Sequence, residues 1–225
     1  MEKKRMEIKG AIFDMDGTLV DSLGFWDHIW RRLGEIFLAD PTFRPDPITE
    51  KGVRTVTLYE ASALVHKNSR IGKNADEVFR IVDGELYAYY EKVVELKPGA
   101  RELLDTFLRR GVKMCVASAS APHLLDVIMN KHDMKKYFLR IVSCNEVGKG
   151  KEHPDVFVKA HEYLGTSKDS TWIFEDSIVA LETAVGAGYN TVGVYDKFNF
   201  GLDRVKEIST VYVGEGESLV KALNV

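Results

Sequence analysis

Cysteine is scarce in this chain: 225 residues hold two, Cys115 and Cys144. Two isolated thiols cannot make the bridged framework of a small secreted scaffold, and they suit a reducing cytoplasm. Long apolar runs are missing too. None approaches the ~18 residues that a membrane span needs. The opening Met1–Arg5 is basic, but Asp14 and Asp16 interrupt the apolar residues behind it, so it does not read as a signal peptide. Excess positive charge is absent. The net charge is −3 and the pI about 6.1, which argues against nucleic acid or an anionic membrane as partner. There is no internal repeat and no low-complexity segment. His28, His66, His123, His132 and His161 are scattered without ligand spacing, against a zinc site, and His153 reads as a turn or cap residue. The chain is 45% hydrophobic and 29% charged. That is enough to bury a sizeable core in one large domain or two small ones.

From residue 97 onward the pattern alternates helix and strand. Pro98 opens a helix that Gly111 closes, with Leu103, Leu104, Phe107 and Leu108 at helical spacing. The spacing then predicts strand 112–117, helix 121–131, a short strand at 138–142, helix 153–164, strand 171–174, helix 177–187 and strand 190–194. Val211–Val213 adds an edge strand and residues 216–222 a terminal helix. Apolar strands alternating with helices predict a Rossmann-like parallel sheet covered on both faces. Ligands of such sheets sit at the carboxyl ends of the strands. Residues 22–96 break the alternation. They predict helices over the Phe25–Phe37 stripe, 49–67 and 74–95, with a Pro-rich turn from Pro41 to Pro47.

The most informative stretch is 10–22, GAIFDMDGTLVDS. An apolar strand, Ala11-Ile12-Phe13, runs straight into Asp14, followed by Asp16, Gly17 and Thr18. D-x-D-G taken by itself also fits a strand ending in an Asp-Gly turn. Two acids one residue apart repel each other and lose hydration unless a cation compensates. The pattern therefore points to a divalent metal and a carboxylate nucleophile at the carboxyl end of a strand.

This stretch resembles the first motif of the haloacid dehalogenase superfamily of phosphotransferases. Three further motifs follow in the family's order. Strand 112–117 leads into Ser118. Gly150-Lys151-Glu152-His153-Pro154 is similar to the family's G-K-P-x-P. Trp172-Ile173-Phe174 leads into Glu175-Asp176. The resemblance implies a haloacid dehalogenase-like α/β core over 1–21 and 97–225, with an inserted α-helical cap domain over 22–96. It implies a phosphoric monoester hydrolase using Mg²⁺ and acting on a small phosphorylated metabolite, for instance a sugar phosphate. Asp14 would be the nucleophile and would form an aspartyl-phosphate. Asp16 would be the proton donor and acceptor. Thr18 would orient Asp16, and Gly17 would allow an unusual backbone conformation. Thr18, Ser118, Ala119 and Lys151 would meet the phosphate. Asp14, Asp16 through its backbone carbonyl, Glu175 and Asp176 would hold the metal.

Departures from the family pattern keep alternatives in view. Glu152 stands where the family has Pro. Ser118 alone also reads as a helix N-cap. Ser118-Ala119-Ser120 resembles β-phosphoglucomutase, but Ala121-Pro122 replace the basic residue and Asn that follow there, so a mutase is the second reading. Asp16 disfavours a dehalogenase, and Lys51 is a weak candidate for the Schiff-base Lys of a phosphonate hydrolase. Trp26, Arg54 and Tyr89 fit packing or solvation better than substrate contact.

Overall fold

Four consecutive buried residues, Gly10–Phe13, form β1, which pairs in parallel with a strand on each side. The computed structural model of the chain describes residues 7–54 and 56–224; the basic opening Met1–Arg5 lies outside them. The other strands are β2 (Lys113–Ser118), β3 (Arg140–Ser143), β4 (Thr171–Glu175), β5 (Asn190–Val194) and β6 (Val211–Val213). All pair in parallel, in the order β3-β2-β1-β4-β5-β6. The chain therefore builds outward from β1 to β3, returns, and builds outward again from β4. The crevice at the carboxyl ends of β1 and β4, where the direction reverses, is the usual place for a ligand in such a sheet.

Strand alternation decides which helices cover which face. The Phe13 ring stacks on Phe174 at 4.4 Å between centroids and approaches Phe107 of α5 (Ala100–Arg109) at 6.2 Å. Ile12 and Ile173 face the other way. They join a buried cluster with Phe157 and Leu164 of α8 (Asp155–Leu164) and Ala180 and Ala184 of α9 (Ile178–Gly186). Truncating a fully buried Phe such as Phe13 to Ala is expected to cost about 3–5 kcal/mol. The remaining elements are α6 (Pro122–Lys131), α7 (Cys144–Val147) and α10 (Leu202–Ile208). Cys115 and Cys144 are both buried and unbridged.

The chain divides into two compact units. The first takes the described residues of Met1–Leu23, Glu95–Pro122 and Met129–Val225, and the second those of Gly24–Val94 and His123–Ile128. The second unit is helical: α1 (Phe25–Leu38), α2 (Pro47–Gly52), α3 (Leu58–Ser69) and α4 (Ala75–Lys92). Ile29 and Leu33 of α1 and Val78, Val82 and Leu86 of α4 are its buried stripes. Glu85 ties the two helices by accepting from Arg32 at 3.0 Å and pairing with His28 at 2.9 Å. Arg54 lies over the Trp26 ring at 5.8 Å, and the Tyr89 ring packs on Phe25 at 5.6 Å. Among the described residues no helix is long and apolar enough to cross a membrane.

Three expectations need correction. The helix expected over 49–67 is two helices, because Thr57 and Glu60 form a reciprocal capping box that starts α3 afresh after Gly52. The terminal helix expected over 216–222 is a 3₁₀ segment, Leu219–Asn224. The short helices α7 and α10 were not expected: with four and seven residues they offer too little periodicity to read.

Candidate active site

The register of the sheet places the candidate residues. Phe13 pairs with Val116 and with Phe174, and the Asp14 N–H continues the ladder by donating to the Phe174 carbonyl at 2.9 Å. Asp14 thus leaves β1 beside Glu175, the last residue of β4. Ser118 ends β2, and Asp176 follows Glu175. Gly17 turns the chain with φ of +80°, and an added Cβ there would collide with the Asp176 carboxylate. Only glycine lets the first motif lie this close to the fourth.

Lys151 comes in from the loop between α7 and α8. Its Nζ donates to Asp14 Oδ1 and, at 2.7 Å, to Glu175 Oε2. Its side chain is 11% exposed. The other Glu175 oxygen accepts from the backbone N–H groups of Asp176 at 3.2 Å and Ser177 at 3.1 Å. Asp176 accepts from Thr18 Oγ1 at 2.8 Å and from Asn199 Nδ2 at 2.5 Å. The Asp16 carboxylate accepts from Ser22 Oγ and Ser120 Oγ, each at 2.7 Å. Ser118 Oγ accepts the Ser120 N–H at 3.1 Å, and Ser143 Oγ donates to the Ser120 carbonyl at 2.8 Å.

Asp14, Lys151, Glu175 and Asp176 are therefore brought together. Asp16 and Ser118 are joined through Ser120, and Ala119 lies exposed at the turn between them. Thr18 departs from expectation. It is fully buried and its O–H donates to Asp176, so it orients Asp176 and not Asp16. Sequence reading missed Ser22, Ser120 and Asn199. Ser22 and Ser120 lie within stretches already singled out. Asn199 has only its place after the carboxyl end of β5 to mark it.

The electrostatics are those of crowded acids. Burial and the neighbouring Glu175 charge hold the Asp14 carboxyl well above the usual carboxylate range, with Lys151 pulling the other way. Burial and Glu175 push Asp176 up to about 7, against the Thr18 hydrogen bond. Burial alone would lower Lys151, but Asp14 and Glu175 together raise it above its ordinary value, so it stays charged. With all three acids ionised, one ammonium would leave two negative charges uncompensated. Asp14, Glu175 and Asp176 each offer a carboxylate oxygen, all within 4.8 Å of one another. A set made of hard oxygens fits a divalent cation of the Mg²⁺ kind, and one such ion would cancel the residual charge. The Asp16 carboxylate is outside this group and accepts from the two serine hydroxyls; its backbone carbonyl is the atom expected at a metal.

The residues match a known pattern. A sequence profile of the haloacid dehalogenase-like hydrolases covers residues 8–188. A phosphorylated carbohydrates phosphatase of Thermotoga maritima is 25% identical over 198 residues, which is 86% of this chain and 88% of that one. Hexitol phosphatase B of Escherichia coli K12 is 27% identical over 192 residues, 84% of each chain. The crystal structure of a β-phosphoglucomutase from Clostridium difficile superposes with a TM-score of 0.73 over 92% of this chain and 91% of its own, at 17% identity. That last likeness is one of fold.

Proposed function

The chain belongs to the haloacid dehalogenase-like hydrolases, and from that premise we propose that it is a Mg²⁺-dependent phosphatase of small phosphorylated metabolites, sugar phosphates first among them. One observation carries the reading: Asp14, buried at the carboxyl end of the central strand, shares a single ammonium with Glu175 and lies beside Asp176. A fold gains little from assembling three acids around one lysine, because like charges in a dry site cost free energy. A phosphoryl-transfer site needs such a set, for charge compensation and for attack.

In the proposed reaction a carboxylate oxygen of Asp14 attacks phosphorus and the bond to the ester oxygen breaks. Asp16 gives its proton to the departing alkoxide. It then takes a proton from water as that water attacks the phosphorus of the aspartyl-phosphate, which releases inorganic phosphate and restores Asp14. Ser22 and Ser120 hold Asp16 for both transfers. Lys151 supplies fixed positive charge beside the attacking oxygen, and Ser118 with the Ala119 N–H would receive the phosphate. Asp14, the Asp16 carbonyl and Asp176, with Glu175 beside them, would hold the metal, which when bound offsets the charge between carboxylate and phosphate dianion. Residues 22–96 would act as the cap that selects the substrate. The relatives named for carbohydrate and hexitol phosphates support a sugar-phosphate substrate. The buried free thiols are consistent with a cytoplasmic location.

The test is a panel of phosphorylated sugars and other small metabolites incubated with Mg²⁺, with and without a bisphosphate activator. Release of inorganic phosphate that EDTA abolishes and Mg²⁺ restores is the expected result. Isomerisation without release would assign the chain to the mutases instead, and no turnover of any phosphate ester would overturn the reading.

A further inference from the structure

Asn199 lies on the loop after β5, outside all four motifs. Its Nδ2 donates to Asp176 Oδ2 at 2.5 Å and to the Asp176 main-chain carbonyl at 3.2 Å. Both facing atoms are acceptors, so the amide must present its NH₂ group to Asp176. With Thr18 on Oδ1, each carboxylate oxygen receives a donor and keeps further lone-pair capacity for a cation. The residue type suits the position. A lysine there would compete with a metal for Asp176, and an acid would repel it. A neutral donor orients the carboxylate without doing either.

The loop that carries Asn199 is anchored by a second buried pair. The Asn199 N–H donates to the Asp196 carbonyl at 3.0 Å, and the Phe198 N–H to Asp196 Oδ1 at 2.9 Å. Asp196 is 1% exposed and accepts from Lys97 Nζ at 2.6 Å. Lys97 also donates to the Tyr195 carbonyl at 3.3 Å, and its own N–H donates to the Leu19 carbonyl at 2.9 Å. A buried ion pair adds little net stability, but losing one partner is costly. What such a pair supplies here is a fixed loop geometry.

We propose that Asn199 is the positioning residue of Asp176, and that the Lys97–Asp196 pair holds the loop from which it acts. This rests on the reading of Asp176 as a metal ligand. Groups that hold a ligand in orientation typically change metal affinity by about ten- to a hundredfold when removed.

The experiment is calorimetric titration of the metal-free full chain with MgCl₂, beside Mg²⁺-dependent phosphate release. Asn199→Ala is expected to raise the Mg²⁺ Kd about tenfold and to raise the Mg²⁺ needed for half-maximal turnover in parallel, with KM for the phosphate ester little changed. Lys97→Met combined with Asp196→Asn, which removes both charges together, should weaken Mg²⁺ binding in the same direction, and adding it to Asn199→Ala should contribute less than the two effects summed. If the parent chain binds Mg²⁺ and Asn199→Ala binds it equally well, the proposal is overturned while the phosphatase reading stands, even where the variant melts at a lower temperature. If Asn199→Ala weakens Mg²⁺ binding but the parent hydrolyses no phosphate ester, the positioning role stands and the phosphatase reading falls. A parent chain that binds no Mg²⁺ overturns both.

Discussion

The two units bury different things. Every buried charged residue of the described chain, Asp14, Glu175, Asp176 and Asp196, belongs to the α/β unit. The buried polar residues of the helical unit are Thr49 and Ser62. Their hydroxyls donate locally, Thr49 to Asp46 in the same first turn and Ser62 to the Leu58 carbonyl one turn back, while Thr49 also accepts from Asn68 of α3. In the α/β unit the buried acids of the site are bonded to residues far away in sequence, Asp14 to Lys151 and Asp176 to Thr18. Burying a charge is expensive unless it is paired. A unit that does so repeatedly at one end of one sheet is arranged for chemistry, whereas one that does not is arranged for shape.

The largest effect expected on this contrast is from Asp14→Asn. It keeps the volume and removes the attacking charge, so turnover should fall by at least roughly three orders of magnitude. The fold should hold, because one of several crowded acids is neutralised. Steady-state phosphate release and a thermal melt on the same sample check both halves; near-parental turnover would remove Asp14 from its proposed role.

Lys151→Met comes next. It leaves Asp14 and Glu175 facing each other without their shared ammonium, and losing one partner of a buried pair costs about 3–5 kcal/mol. Chemical denaturation of the metal-free variant should show a loss of this order, partly restored by Mg²⁺. A loss below about 1 kcal/mol would mean that the site is better hydrated than its 11% exposed lysine implies.

pH sharpens the same point. Asp14 and Asp176 hold their protons above the ordinary carboxylate range in the metal-free fold, Asp176 up to about 7. The unfolded chain gives those protons up in the ordinary aspartate range. With both carboxyls raised, the folded state binds more protons than the unfolded chain, so its stability falls as pH rises, the Asp176 contribution being lost as pH passes about 7. Mg²⁺ needs the ionised acids, so the shift in Tm that it produces should be larger at alkaline than at mildly acidic pH. Melting curves across this range with EDTA and with Mg²⁺ decide the matter; a Mg²⁺ shift independent of pH would contradict it.

The smallest effect belongs to the helical unit. Thr57→Ala removes the capping box of α3 and should cost about 1 kcal/mol. Turnover at saturating substrate should stay near that of the parent chain. A large fall in turnover with unchanged stability would show that the start of α3 takes part in the chemistry.

How legible the molecule is from its sequence follows the same division. The α/β alternation was readable because each strand is a short, continuously apolar run bounded by helix-period segments, and β1 and β4 are buried at every position. Asp14, Glu175 and Asp176 stood out because acids interrupt apolar text at strand ends, and Lys151, on the loop before α8, through the resemblance of Gly150–Pro154 to a family motif. Asn199 did not, since its partner is set by the way a loop after β5 folds back and not by any local pattern. Thr18 was misread for a related reason. Asp16 and Thr18 are two residues apart, yet the Asp16 carboxylate meets Ser22 and Ser120 while the Thr18 hydroxyl meets Asp176, just past the adjacent strand β4. In the helical unit the break between α2 and α3 was hidden by an apolar spacing that continues across it, while Thr57 and Glu60, the residues that make the break, are ordinary surface residues.

The pairing of β1 has a consequence for how the chain comes into being. Gly10 lies opposite Lys113 on one side and Thr171 on the other. On a ribosome, β1, buried at every position, emerges ahead of the other strands and has no neighbour until β2, from Lys113 onward, has been made. The contacts within α1, α3 and α4 need no such wait, and low contact order favours early formation. The helical insertion should therefore gain structure while Ala11, Ile12 and Phe13 are still unpaired. An apolar edge exposed for that long is a natural substrate for holding chaperones and a point where misassembly begins.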